Sequence, residues 1–179
     1  MKKLGIVGLV LIACFVSITP VFGQSKAKKD KIIADSKTAK AEFIEADSLM
    51  KGLFDKAYGY VIFPNVGKGG LVIGGAAGNG TVYERNKVVG LAKLSQVTIG
   101  FQAGGQAYRE VIFFEKKKDL DRFKESKFEF SAQVSAVAVT EGISKDIEYA
   151  DGIMVFTMQK GGLMYEASVG GQKFEFKKL

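Results

Sequence analysis

Gln96-Val97-Thr98-Ile99-Gly100-Phe101-Gln102-Ala103-Gly104-Gly105-Gln106-Ala107-Tyr108 alternates with a period of two. Val97, Ile99, Phe101, Ala103, Gly105 and Ala107 fall on one side. Thr98, Gly100, Gln102, Gly104, Gln106 and Tyr108 fall on the other. Side chains of an extended chain point alternately to opposite faces, so the pattern predicts a β-strand. Glycine inside a strand costs stability unless the fold needs a bend or a close backbone approach. The chain holds 22 glycines, many in such runs, which favours a curved β core over a flat one.

Working outward, Tyr60-Val61-Ile62-Phe63 predicts a short strand stopped by Pro64-Asn65. Leu71 to Ala77, Thr81 to Arg85 and Val88 to Lys93 are further candidate strands, with Asn79-Gly80 as a hairpin turn. Val111 to Phe114, Phe128 to Val139, Gly152 to Met158, Leu163 to Val169 and Lys173 to Phe176 complete the β count. Between them, residues 116–126 predict a short charged helix with Leu120 and Phe123 inward. Upstream, residues 24–31 are polar and lysine-rich and read as a linker. Residues 32–50 predict an amphipathic helix, with Ile32, Ala39, Phe43, Ala46 and Met50 at spacings of three, four or seven. Leu53 to Ala57 adds a helical turn, ended by Gly59. The expected fold is α+β: a glycine-rich antiparallel barrel- or sandwich-like core over residues 32–179, with N-terminal helices and one short inserted helix.

The first 23 residues read as a secretory signal. Lys2 and Lys3 precede an unbroken apolar or small run from Leu4 to Val16, then the more polar Ser17-Ile18-Thr19-Pro20 and the small-residue site Val21-Phe22-Gly23. Two rivals exist. Leu11-Ile12-Ala13-Cys14 resembles a lipobox, which would make Cys14 a lipidated N-terminus, but Phe15 and Val16 continue the apolar run. Leu4 to Gly23 would also suffice as an uncleaved anchor, but Pro20 opposes that. Cleavage after Gly23 gives an exported, periplasmic or envelope protein and removes the single cysteine.

Composition excludes much chemistry. Apolar residues make up 47% and charged residues 25%, so 179 residues suffice for one globular domain. Histidine is absent and cysteine is single, which removes Ser-His-Asp and Cys-His catalysis, histidine-based metal sites and any intrachain disulfide. Gly67-Lys68-Gly69-Gly70 lacks the Ser or Thr and the following helix of a phosphate loop, and Gly74-Gly75-Ala76-Ala77-Gly78 does not open a helix. Glu84, Glu110, Glu115 and Glu148 are carboxylates by type only; no spacing selects a hydrolytic pair, and they read as surface charge. No cofactor, metal or catalytic residue is expected.

The net charge is +7, and +5 without Lys2 and Lys3. It is clustered. Residues 26–40 carry Lys26, Lys28, Lys29, Lys31, Lys37 and Lys40 against Asp30 and Asp35. Residues 116–127 carry Lys116, Lys117, Lys118, Arg122, Lys124 and Lys127 against three acids. Such clusters suit an anionic partner, or simply a solvated face.

From residue 47 onward the chain resembles a known family. Lys56-Ala57-Tyr58-Gly59-Tyr60-Val61-Ile62-Phe63-Pro64 is followed by Val66-Gly67-Lys68-Gly69-Gly70, Gly74-Gly75, Gly78-Asn79-Gly80, the stretch Gln96 to Gln106, and Lys160-Gly161-Gly162-Leu163-Met164-Tyr165-Glu166-Ala167-Ser168-Val169-Gly170-Gly171. In that order these are similar to the SYLF domain family. The resemblance implies a lipid-binding module; eukaryotic members bind phosphoinositides, and fungal relatives bind actin filaments. It also implies an N-terminal basic amphipathic helix at the membrane, where residues 26–50 stand here. The approach to the last glycines departs from the eukaryotic pattern: Val155-Phe156-Thr157-Met158 replaces a Ser-Tyr-Ser-rich run.

The expected function is therefore a non-catalytic, exported module that binds anionic phospholipid or a membrane surface through Lys26, Lys28, Lys29, Lys31, Lys37, Lys40, Lys116, Lys117 and Lys118. Gly67, Gly69, Gly70, Gly74, Gly75, Gly100, Gly104 and Gly105 are expected to be structural. Neither nucleic acid nor actin is an expected partner. The rival is an envelope structural or protein-interaction module with an envelope protein partner; an oxygen-ligand-only hydrolase ranks below both.

Overall fold

The computed structural model describes residues 22–70, 73–99, 105–126, 128–131, 135–160 and 167–179. The order is α1 (Phe22–Ala46), α2 (Met50–Lys56), β1 (Gly59–Gly70), β2 (Ile73–Glu84), β3 (Lys87–Ile99), β4 (Gly105–Phe114), α3 (Lys117–Lys124), β5 (Ser135–Ala138), a 3-10 turn (Ile143–Asp146), β6 (Ile153–Gln159), β7 (Ala167–Ser168) and β8 (Lys173–Lys178). The strands form one sheet in the order β7-β5-β6-β4-β1-β2-β3-β8. Its pairs are antiparallel except β5 with β6. The expected α+β class holds, with a β core, N-terminal helices and a short inserted helix.

The strands are longer than their apolar runs. β1 continues through Pro64-Asn65 instead of stopping there. Its register shifts between Ile62 and Val66 against β2, and between Phe63 and Val66 against β4. A bulge takes up the extra residues and tolerates a proline with no N–H to donate. Asn79-Gly80 is not a turn; it lies inside β2 beside that bulge. A Cβ on Gly80 would stand 2.6 Å from the Ile62 carbonyl oxygen and 2.7 Å from the Phe63 ring, so the site needs close approach. The β2–β3 turn is Arg85-Asn86, with φ of 48° and 64°. Left-handed backbone at both central positions matches the right-handed twist of a hairpin.

The alternating stretch from residue 96 to 108 is two strands. Gln96–Ile99 ends β3 and Gly105–Tyr108 begins β4, with β2 and β1 lying between them in the sheet. Residues 100–104 lie outside the described residues. Alternation constrains which residues share a face but not which strand is the neighbour or which face is covered: Gln96 and Tyr108 are buried, while Val97, on the apolar side of the pattern, is exposed.

Tyr60-Val61-Ile62-Phe63, Val111-Ile112-Phe113-Phe114 and Ile153-Met154-Val155-Phe156 are unbroken apolar runs because both sides of the sheet are covered there. Val61, Phe63, Ile112, Phe114, Ile153 and Val155 enter an inner core with Phe128, Phe130 and Phe174. Tyr60, Ile62, Val111, Phe113, Met154 and Phe156 face the helices. Residues 128–130 and 135–138 lie against opposite ends of the sheet. Glu129 bridges to Lys173 beside β8, with Phe174 N–H donating to the Phe128 carbonyl at 3.1 Å, while β5 pairs with β6.

α1 begins at Phe22, so residues 24–31 are helix and not a linker; it ends at Ala46, short of residue 50. The helix packs through Ser36, Ala39 and Phe43, all essentially inaccessible. Asp47 stops it. The buried Asp47 carboxylate accepts from the Leu49 N–H at 3.0 Å and the Ser144 N–H at 2.9 Å, tying the start of α2 to the 3-10 turn. α2 starts at Met50, three residues before the predicted turn.

Candidate functional site: basic clusters and an interior carboxylate

The nine candidate lysines do not form one surface. Lys26, Lys28 and Lys31 are exposed on the first half of α1, with Lys29 half-buried; Lys31 pairs with Asp35 at 2.7 Å. Lys31 shares a small cavity with Pro64 and Asn65, towards the end where β1 runs to Gly70. Lys116, Lys117 and Lys118 are exposed at the start of α3. That helix lies at the opposite end of β1, where the place of a Cβ on Gly59 is filled by Leu120. Lys117 pairs with Asp121, and Lys116 lies 3.3 Å from Glu115.

Lys37 is exposed, but Lys40 is engaged inside the protein. Its ammonium donates to Tyr60 Oη at 2.9 Å and Asn86 Oδ1 at 3.2 Å, and sits over the Phe54 and Tyr60 rings at 4.7 and 5.0 Å. Burial holds its pKa below the ordinary lysine value. A cation held over rings contributes about 0.5–2 kcal/mol, so Lys40 clamps α1 to the β2–β3 hairpin.

The glycine motif also divides. An added Cβ would meet nothing at Gly67 or Gly69, whereas at Gly75 it would stand 3.1 Å from the Gln96 carbonyl oxygen. Gly70 has a φ of 147°. Gly74 pairs with Thr98 and with Gly70, and Gly105 with Gly69. Gly100 and Gly104 lie outside the described residues.

The four candidate carboxylates are not brought together. Glu84 accepts from Tyr58 Oη at 2.7 Å and from Lys124 at 2.6 Å, which hold its pKa below the ordinary value. Glu115 lies beside Lys116, and Glu148 is exposed. Glu110, expected at the surface, is completely buried. It shares the inner face of β4 with Tyr108, Ile112 and Phe114. Gln172 Nε2 donates to Glu110 Oε2 at 3.0 Å and reaches Tyr108 Oη at 3.3 Å. In register, Glu110 stands opposite Thr157 and Tyr108 opposite Gln159. Burial pushes the Glu110 carboxyl up to about 8, opposed in part by the bond from Gln172. This polar cluster inside the β core was readable only through the parity that puts residue 110 with 108, 112 and 114. Among the described residues no group of three or more Asp, Glu, His or Cys is placed to hold a metal ion.

Compared with known proteins, residues 95–178 match the family described as "Ysc84: Las17-binding protein actin regulator". This stretch is a SYLF (Ysc84) domain. It takes in the end of β3 and every later element, and so contains Glu110, Gln172 and the α3 lysines. Beta cell expansion factor A of Aeromonas veronii is 32% identical over 126 residues, covering 69% of this chain. The chain spans about half, 48%, of that relative's length. The SYLF family is one of binding modules and is not known as an enzyme family.

Proposed function

We propose that this is a non-catalytic, exported module that binds anionic phospholipid surfaces. The observation that carries the reading is the division of labour along α1. Its second half is consumed by packing, through Ser36, Ala39 and Phe43, while Lys26, Lys28 and Lys31 stand exposed on its first half with Lys29 beside them. Lysines close to an anionic surface contribute about 1 kcal/mol each, and the attraction weakens with salt. The matched family's description names an actin regulator; a chain exported by the signal at residues 1–23 does not meet actin, so the lipid role is the one taken over.

Replacing Lys26, Lys28, Lys29 and Lys31 with Glu is expected to abolish co-sedimentation of the exported protein with anionic liposomes and to leave its melting curve in place. Wild-type binding should fall steeply as salt is raised. Undiminished binding by this variant removes α1 as the contact and passes the role to Lys116, Lys117 and Lys118 at the other end.

A further inference from the structure

A groove of about 680 Å³ opens where the sheet fails to close completely. Among the described residues, β5 pairs with β6 at Phe156 and Thr157. Before that point, the facing chain at Phe128–Phe130 turns away and bonds beside β8 instead. The gap runs down to the inner core. Its floor is apolar: Phe128, Phe130, Val137, Ile147, Ile153 and Val155.

The rim has the opposite sign to the chain. Among the described residues, Glu125, Glu129, Glu148 and Asp151 line the groove with Arg122 as the one cation, in a protein of net charge +7. Arg122 is already engaged. Its guanidinium donates to the Asp151 carboxylate at 3.1 Å and the Asp151 carbonyl at 3.0 Å, and lies over the Phe128 ring. Glu129 lies 3.6 Å from Lys173. Among the described residues Glu125 and Glu148 form no ion pair.

We propose that this groove binds a small amphiphile with an alkyl body and a cationic head, the alkyl chain on the Phe128–Phe130–Val155 floor and the ammonium between Glu125 and Glu148. Small-molecule sites have volumes of about 300–1,000 Å³, mostly apolar walls and a few polar groups that fix orientation. Carboxylates at the mouth favour a cation and repel a fatty acid or an anionic lipid headgroup. A peptide strand fits less well, because the entry to β6 is closed on itself: Ile153 and Ala150 exchange both backbone hydrogen bonds. A cationic small molecule needs only the side chains present. This site is separate from the α1 lysines, and its ligand has the opposite charge to the surface they attract.

Decylammonium, decanoate and decanol, each kept monomeric, test the proposal by calorimetric titration and amide NMR shifts on the full folded protein without vesicles. Decylammonium is expected to bind, with shifts centred on Phe128, Val137, Ile147 and Ile153, and decanoate to bind at least about tenfold more weakly. The double variant Glu125→Gln, Glu148→Gln should weaken decylammonium about tenfold and leave decanol unchanged. Both positions are on the surface, so the melt should stay in place. Equal binding of the three probes, shifts centred on α1 or on the glycine-rich end, or no binding by decylammonium overturns the proposal. None of these results depends on liposome binding, which the four-lysine variant tests by itself.

Discussion

Glu110 puts a titrating group where the inner core would otherwise be apolar. An unpaired carboxylate in such a place is neutralised, which is why its pKa rises to about 8 from an ordinary 4.5. The sign of the effect on stability follows. Above pH 4.5 the unfolded chain loses this proton, while the folded chain keeps it until about pH 8. The folded state therefore binds more protons across that window. Its contribution to stability is complete below about pH 4.5, falls as pH rises, and is flat above about pH 8. Glu110→Gln keeps the shape and removes the proton. Its melting temperature relative to wild type should climb between pH 5 and pH 8 and then level off. A difference that is constant with pH would show that Glu110 is ionised in the folded protein. Taking the difference between the two proteins cancels the opposite slope from Glu84 and Asp55, whose carboxyls are held below the ordinary value.

α1 divides into an exposed basic first half and a second half that packs through Ser36, Ala39 and Phe43. The apolar spacing in residues 32–50 picked out Ala39, Phe43 and Met50, and all three are buried. It could not say that the helix starts at Phe22 or stops at Ala46, because the stop is set by Asp47 bonding to a turn almost a hundred residues away. Phe43 has no accessible surface and packs within the cluster that includes Tyr60, Val111 and Phe113. Phe43→Ala should cost about 3–5 kcal/mol in denaturant unfolding, from lost transfer energy and the cavity left behind. Liposome binding by the fraction that remains folded should not change. A small cost with lost liposome binding would instead put Phe43 in the lipid. Lys40 illustrates the limit of composition at this scale. It belongs to the same basic run as Lys37, yet its ammonium is held by Tyr60 and by Asn86 of the hairpin turn.

For the whole molecule, the basic clusters at opposite ends of β1 and the acidic groove at the seam divide the surface by charge. A flat membrane met end-on would engage one cluster at a time. The exported chain is expected to begin at Gln24, which removes only Phe22 and Gly23 from α1 and keeps every lysine of the first cluster. Intact mass of the exported protein checks this; a diacylglycerol-modified Cys14 terminus would make it a lipoprotein instead. The sequence by itself determined the class of fold, which residues of a strand share a face and the residue types available for chemistry, because alternation, helical spacing and composition are properties of a local chain. Tertiary structure decided the rest. It broke one alternating run into two strands with two others between them, and turned an apparent stop at Pro64 and an apparent turn at Gly80 into a bulge and the glycine that fits it. It buried Glu110, and it left a seam between β6 and Phe128–Phe130. Each of these depends on which distant strand becomes the neighbour. Strand pairing is set by contacts across the whole chain, which no local pattern encodes.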